Sequence, residues 1–349
     1  MKKLLTALLL VLGISTTLFA QKGTTYRQLV MRAQAPTIFI QPIILPGQES
    51  GKATLAFTFR FNYNFIPFKK VPLQHSWKLP YEAQFYSTIR LNTEIFEGKL
   101  KRKSEPSANS VARDVWTDTL YTSTFEQTQS DKKFAAGLLS VQLKPGSYNY
   151  LLQLAMMQEI NERSTQRHDV RIPNLNSETE GEIILINEIK NENNDLNLEL
   201  INMEDNVPFG KDFYALIRIP NYDASAEYEI NVHKAKISRR DTTAGASIYT
   251  SALVQKDIHP KSTVTLAADK LPGLLLKSGT YDFTYAIVKI PGSSFENAPY
   301  YLSLNNKGKS KPVARAFFQS YWPDMPASLY NLNISIDMLK FIIQESELK

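Results

Sequence analysis

Four histidines, the side chains best suited to acid–base chemistry or metal binding near neutral pH, are scattered along the 349-residue chain. They are His75, His168, His233 and His259, and none belongs to a His-x-His or His-Glu-x-x-His pattern. Zinc needs three or four converging ligands, so the sequence predicts no metal site. His168 precedes Asp169, but adjacent residues of a strand point to opposite faces, which argues against a catalytic dyad.

Other catalytic and nucleotide-binding signatures are also missing. No two of the 14 glycines are separated by a single residue, and no Gly-Lys-Ser/Thr occurs, which excludes the common phosphate-binding loops. Gly47 and Gly51 have the spacing of a hydrolase elbow but enclose Glu49 instead of a serine. The absence of cysteine excludes disulfides and thiolate chemistry. We therefore assign no catalytic residue, no metal and no cofactor.

Two groups of residues leave binding functions open. One strand face cannot hold all of Trp77, Tyr81 and Tyr86, so some of these rings are expected to be exposed. Exposed rings could stack on a sugar or bind a partner peptide. Trp116 could be a further ring of the sugar-binding platform. Packing of a long loop against a sheet explains the same pattern. Next to Asn206, the pair 204–205 (Glu-Asp) could hold calcium, although the usual calcium loop is absent and a capped turn also accounts for it.

The N-terminus predicts export. Lys2 and Lys3 precede an apolar run at 4–14, and small and polar residues follow up to Ala20. This run is too short for a membrane-spanning helix, which needs about 20 apolar residues, and no later segment approaches that length. We predict a signal peptide at 1–20, and a mature protein in the periplasm, at the outer membrane of a Gram-negative bacterium, or outside the cell.

The formal net charge of +6 is distributed unevenly. Bases outnumber acids in residues 21–178, whereas acids outnumber bases in 179–349. Opposite charges could help the two halves dock, although ordinary solubilising charge explains the same distribution. The basic cluster at 99–103 belongs to no recognisable nucleic-acid-binding module, so no nucleic-acid partner is predicted.

Apolar side chains recur with a period of two, which is typical of antiparallel strands. In residues 55–65 the odd positions are apolar or aromatic and the even ones are mostly polar, which predicts one buried and one wet face. The same alternation appears in 85–95, 213–219 and 228–232. These segments predict antiparallel sheets.

A repeated phrase suggests that one unit is used twice. LKPGSYNY at 143–150 returns as LKSGTYDF at 276–283, and upstream LYTSTFEQT at 120–128 matches IYTSALVQK at 248–256. The repetition predicts an all-β fold, with one topology used in two tandem immunoglobulin-like antiparallel β-sandwich domains.

Within the repeated phrase, a glycine and a tyrosine have predicted structural roles. Gly146 and Gly279 are expected to allow the tight turn that leads into a core strand. Tyr148 and Tyr281 are expected to send their hydroxyl groups back to nearby backbone, as corner tyrosines do in immunoglobulin-like sandwiches.

The remaining segments complete the predicted domain organisation. Strands around 183–189 and 196–203 are expected to bridge the domains, and the tail is expected to form an amphipathic helix with two apolar faces that need two partners. The predicted units are a first sandwich at 21–178, inter-domain strands at 179–204, a second sandwich at 205–322 and the helix at 323–349.

The tail, FFQSYWPDMPASLYNLNISIDMLKFIIQESEL, resembles a segment of bacterial envelope proteins called GWxTD domain-containing proteins, where it joins a β-rich N-terminal region to the eponymous domain. The stretch RHDVRIPNLNSETEGEIILINEI and the LKSGTY corner are similar to their inter-domain strands and second sandwich. The resemblance covers most of 140–349. The Gly-Trp-x-Thr-Asp motif itself is absent, as in a shortened relative or a fragment, so the resemblance implies architecture and envelope location but no chemistry.

These observations favour a non-enzymatic, exported cell-envelope protein that acts as a structural or protein-interaction scaffold for an unidentified envelope partner. The first alternative is a carbohydrate-binding module that uses exposed aromatic rings. The second is a hydrolase with an acid pair assembled at the domain interface.

Overall fold

The computed structural model describes most of the chain between residues 38 and 321. The described residues are 38–72, 82–99, 110–130, 132–156, 164–176, 180–192, 195–201, 206–208, 210–237, 242–267, 272–296 and 298–321. The predicted signal peptide and the predicted C-terminal helix lie outside them. In the described part, no helix is both long and apolar enough to span a bilayer.

The described chain is built almost entirely from strands. The strands of the first half are β1 (Ile38–Pro46), β2 (Ala53–Asn62), β3 (Lys69–Lys70), β4 (Phe85–Glu97), β5 (Ala112–Thr122), β6 (Phe134–Leu143), β7 (Gly146–Met156) and β8 (Ser164–Ile172). Those of the second half are β9 (Glu182–Glu192), β10 (Asp195–Leu200), β11 (Asn206–Pro208), β12 (Phe213–Arg218), β13 (Tyr228–Ile237), β14 (Thr242–Ala252), β15 (Ile258–Ala267), β16 (Gly273–Ser278), β17 (Phe283–Ile290), β18 (Pro299–Asn306) and β19 (Ala314–Tyr321).

The helical elements among the described residues are short. One α-helix, α1 (Phe125–Thr128), follows β5, and its N-cap Thr124 accepts a hydrogen bond from the backbone N–H of Gln127. The 3-10 helices are Tyr63–Phe65, Gln255–Asp257 and Gly292–Ser294. The turn Gln255–Asp257 follows β14 just as α1 follows β5, so the upstream part of the sequence repeat has similar local structure in both copies.

The first sandwich packs the antiparallel sheet β1-β2-β6 against a sheet in which β4 pairs with β3, β5 and β7, and β7 pairs with β8. Its core is aromatic. Phe57, Phe59 and Phe61 of β2 are fully buried, and they meet Ile89 and Leu91 of β4 as the alternation predicts. The edge-on contact of Phe57 with Tyr150, at 4.9 Å between ring centroids, links the two sheets.

The second face of β2 is also buried, so the expectation of one wet face was wrong there. Ala56 is fully buried and Thr58 is only 1% exposed. Ile43 and Leu45, on the same face of β1, belong to the apolar cluster of the second half of the chain. The outer face of this sheet is covered because the second half packs against it.

The second sandwich packs the sheet β11-β19-β18-β13-β14 against one wall of a closed six-stranded barrel, β10-β16-β15-β17-β12-β9. The shared wall is β9-β12-β17. One face of that wall, which includes Phe213 and Ile217, fills the sandwich core, while the other, which includes Ile184 and Leu216, fills the barrel. Since both faces are buried, the central parts of these strands, at 183–186, 215–217 and 286–288, are apolar on both faces rather than alternating.

The prediction of an all-β fold with two tandem β-sandwiches is confirmed. The predicted repetition of one topology is not seen, because the corner at Gly146 joins β6 and β7 in different sheets, whereas the corner at Gly279 joins β16 and β17 within one barrel. The strands expected to bridge the domains are β9 and β10. Both are integral to the barrel of the second half, where β9 also pairs with β12.

Candidate functional site

Of Trp77, Tyr81 and Tyr86, only Tyr86 lies within the described residues. Trp77 and Tyr81 fall outside them, as does the acidic pair at 204–205. Tyr86 is half-buried on β4, opposite Lys69 of β3 and Tyr121 of β5.

Trp116, the further ring of the predicted platform, packs against the core of the first sandwich. Its indole meets Phe59 edge-on, with 4.8 Å between ring centroids. A Cβ atom placed on Gly137 would lie 2.6 Å from the indole Nε1, so the ring fills the space that this glycine leaves. Trp116 is partly buried and packs against this core, and its place in a ligand platform stays a prediction.

The two repeated tyrosines occupy different environments. The hydroxyl of Tyr148 donates a hydrogen bond of 3.0 Å to the carbonyl oxygen of Lys144, four residues upstream, which is the contact that a corner tyrosine makes. Tyr281 lies before the first residue of β17 and is 45% exposed. The corner role predicted for Tyr281 is not met, because the second corner does not pass between two packed sheets.

The repeated glycines do not work through unusual backbone angles. Among the described glycines, the left-handed region is occupied by Gly51, Gly98 and Gly210, and neither Gly146 nor Gly279 is there. A Cβ on Gly146 or on Gly279 would instead lie 3.2 Å from the tyrosine ring two residues later. Each glycine makes room for an aromatic ring, which corrects the tight-turn explanation.

The junction of the two halves carries a row of polar side chains. Arg218 of β12 lies directly opposite Glu182 of β9 on one side and Tyr285 of β17 on the other, and Tyr285 pairs with His259 of β15. Directly opposed residues of antiparallel strands share a face, so the four side chains form one row across four strands of the barrel. Their uncharged neighbours on this face belong to the barrel core.

This polar row contacts the first sandwich at Glu182. The backbone N–H of Ile44 donates a 3.4 Å hydrogen bond to Glu182 Oε1. Burial raises the pKa of the Glu182 carboxyl to about 7, with the Arg218 charge and the Ile44 amide acting in the opposite direction. The residue as a whole is half-buried.

The other members of the row are also desolvated. Arg218 is 6% exposed and donates from Nη2 to the carbonyl oxygen of Glu180 at 3.2 Å, whereas its buried Nε has no hydrogen-bond partner among the described residues. Burial raises the pKa of the Tyr285 hydroxyl and lowers the pKa of His259, against a weaker opposing effect of Asp257.

The cleft at the junction is small. It is lined by Ile44, Leu45, Glu182, Ile184, Leu216, Arg218 and Tyr285, and has room for about one water molecule. It brings together one carboxylate and one guanidinium rather than the acid pair that a glycosidase needs. In the described chain, no group of three or more His, Cys, Asp or Glu side chains is placed to hold a metal. The junction joins the two halves through the apolar contact of Ile43 and Leu45 and the hydrogen bond from Ile44 to Glu182.

A different surface, the outer face of the sheet β13-β18-β19, combines rings with polar groups. His233, Tyr301 and Phe317 are directly opposed on the three strands, and the Tyr301 and Phe317 rings meet edge-on at 5.5 Å. The next row contains Asn231, Ser303 and Arg315. All of these residues are at least partly exposed. We call these six residues the aromatic–polar face.

Hydrogen bonds hold the polar side chains of this surface in place. Thr250 of β14 donates to Asn231 Oδ1 at 2.7 Å, and Asn231 Nδ2 donates to Glu229 Oε1 at 2.9 Å. Asn305 Nδ2 donates to Ser303 Oγ at 3.1 Å. Side chains that are ordered before binding lose less conformational entropy when a partner arrives.

Neither the polar row at the junction nor the aromatic–polar face was predicted from the sequence, although the sequence contains a local signal for each. Arg218 is the charged residue of an otherwise apolar strand, FYALIR, which indicates a buried polar group. Tyr300 and Tyr301 are adjacent, so strand alternation must place one of them on the outer face.

Comparisons with known proteins identify no family. No family model and no curated protein matches the chain. Among solved structures, a type II cohesin dyad from the adaptor ScaA scaffoldin of Acetivibrio cellulolyticus matches with 9% identity over 82% of this chain and 99% of that chain, at a TM-score of 0.20. A mutant of the enterotoxigenic E. coli adhesin CfaE matches with 9% identity over 83% of this chain and 87% of that chain, at a TM-score of 0.16. Neither likeness carries an argument about this chain.

Proposed function

We propose that this chain is a non-enzymatic, exported scaffold protein of the bacterial cell envelope that binds a protein partner through the aromatic–polar face. The observation that carries the proposal is the opposed row His233, Tyr301 and Phe317 on a sheet whose other face packs against the barrel wall. Tyr, Phe and Arg are enriched in protein interfaces, and Tyr and Arg in particular supply much of the binding energy.

The contact between the two halves at the junction supports the same function. Ile43 and Leu45 are buried with the barrel core, and the Ile44 amide is bonded to Glu182, so the first sandwich holds a defined position against the second. A surface displayed on a joined body gives a partner a fixed geometry to recognise. Export and envelope location rest on the N-terminal sequence and on the resemblance to GWxTD domain-containing proteins, which stays a prediction.

The aromatic–polar face is tested by removing its rings. Cross-linking in an envelope extract should attach partner proteins to the parent protein. The double variant Tyr301→Ser, Phe317→Ser should no longer be cross-linked to them. The matched control, Thr88→Ser, Gln153→Ser, changes two partly exposed residues on the outer face of the first sandwich and should retain them. Identical capture by the double variant and the parent would refute the proposal.

Carbohydrate binding is the second candidate, favoured by the ordered Asn231 amide lying one row from the Tyr301 ring. Amide groups can bond sugar hydroxyls while a ring stacks on the sugar. Binding to a glycan array that disappears in the Tyr301→Ser, Phe317→Ser variant would assign the surface to a saccharide instead of a protein.

A further inference from the structure

Strand β14 is a sheet edge without charges or prolines. It has 11 residues, TTAGASIYTSA, and among the described strands it pairs only with β13. Its pairing with β13 shifts register on either side of the His233–Ser247 pair and is regular from Tyr249 to Ala252. Edge strands in soluble proteins are normally protected by charges, prolines or bulges, because their unpaired backbone groups can pair with another chain.

The other long edges carry stronger protection. In β5 the backbone N–H groups of Val115 and Thr119 each donate to the carboxylate of the preceding aspartate, at 2.8 and 2.7 Å. The carboxylate of Asp114 also accepts from the N–H of Ser140, on the edge strand β6, at 2.8 Å. Strand β8 contains two arginines and an aspartate, and β1 contains two prolines.

The backbone of β14 presents donors outward. The N–H of Leu253, just after the strand, points to β13 and donates to the Tyr228 carbonyl oxygen at 3.0 Å. Because successive N–H groups of a strand point to opposite sides, those of Ala252 and Thr250 point away from β13. A further strand can pair with them without disturbing the sheet.

We propose that two copies of this chain associate through β14, antiparallel about a two-fold axis, so that two five-stranded sheets become one continuous ten-stranded sheet. A second copy suits this edge because a charge-free strand that faces itself brings no like charges into opposition. Two-fold pairing also consumes both exposed edges and ends the assembly at a dimer. The proposal does not depend on the proposed function, since the aromatic–polar face lies on β13, β18 and β19.

The test uses Ser247, the exposed middle residue of β14. In pairing centred on the strand, Ser247 of one copy lies opposite Ser247 of the other. The dimer constants of the parent protein, Ser247→Lys and Ser247→Glu are measured by sedimentation equilibrium, with Ser247→Thr as the matched uncharged control. Like charges directly opposed should weaken each charged dimer by up to about fivefold, whereas Ser247→Thr should keep the parent value.

Mixing the two charged variants distinguishes charge repulsion across a two-fold axis from misfolding of the variants. A mixture of equal amounts of Ser247→Lys and Ser247→Glu should recover dimer, because opposite charges then face each other. A parent protein that remains monomeric at about 100 µM would overturn the proposal, as would charged variants that dimerise like the parent. Absence of recovery in the mixture, with both variants folded by circular dichroism, would also overturn it.

Discussion

The backbone N–H of Ile44, in the first sandwich, bonds Oε1 of Glu182, in the second, across 138 residues of sequence. Arg218 is the cross-strand neighbour of Glu182, so two adjacent polar side chains of the barrel lie next to a backbone donor of β1. The opposite net charges of the two halves of the sequence suggested docking by charge. The described contact is instead apolar at Ile43 and Leu45, with a single buried carboxyl group at its centre.

The buried carboxyl of Glu182 should make stability depend on pH. Its folded pKa of about 7 lies above its ordinary 4.5, so stabilisation is complete below about 4.5 and is lost as pH rises towards 7. Glu182→Gln keeps the acceptor for Ile44 and cannot ionise. We expect it to raise the free energy of unfolding by about 1–3 kcal/mol at pH 8 and to change it little at pH 4.

The measurement is urea unfolding of the parent and Glu182→Gln from pH 4 to 8. The pKa of His259, on the same row, is lowered, and His259 therefore affects stability in the acid range. The prediction accordingly concerns the difference between the two proteins at each pH. A difference that does not change with pH would contradict it.

The alternation of side chains predicted the strands well, because burial of one sheet face repeats every two residues. Phe57, Phe59 and Phe61 follow this rule and are fully buried. The rule fails where both faces are covered, as at Ile184 and Leu185 in the shared wall, because an apolar run does not say which partner covers each face. The hydrogen-bond donor to Glu182 is a backbone amide, and such a partner cannot be predicted from residue types.

Both copies of the sequence repeat have similar local structure, but the single topology that the repeat predicted for both is not found. The eight-residue phrase fixes the glycine and the ring that covers it in both copies. Whether the following strand joins the same sheet or another depends on long-range pairing with β4 in one copy and β12 in the other. Residues outside the repeated phrase determine that pairing.

Tyr148 and Tyr281 provide a matched pair of substitutions. Tyr148→Phe removes the hydrogen bond to the Lys144 carbonyl oxygen and should lower the free energy of unfolding by about 1 kcal/mol. Tyr281→Phe changes an exposed ring and should leave stability within about 0.5 kcal/mol of the parent. Thermal and urea unfolding of both variants test this. Equal losses in the free energy of unfolding for the two variants would mean that the Tyr148 hydroxyl does not stabilise the first corner.

Asp114 links the edges of the two sheets in the first sandwich, since its carboxylate accepts from Val115 of its own sheet and from Ser140 of the other. Asp114→Ala leaves two backbone donors without this acceptor and should cost about 1–2 kcal/mol. Asp118→Ala removes only the local bond to the Thr119 amide and should cost less. Urea unfolding measures both, and a larger loss for Asp118→Ala would contradict the linking role.

Gly137 marks the closest approach of β6 to two aromatic rings. A Cβ atom there would lie 2.4 Å from Phe59 Cζ and 2.6 Å from Trp116 Nε1, inside contact distance for both. Since Phe59 is fully buried and cannot swing into solvent, Gly137→Ala should lower stability by about 1–3 kcal/mol. Gly308→Ala, whose nearest neighbour would be 3.5 Å away, is the control and should have little effect. If thermal unfolding shows Gly137→Ala to be as stable as Gly308→Ala, the rings of Phe59 and Trp116 move to make room, and the close packing at Gly137 does not contribute to stability.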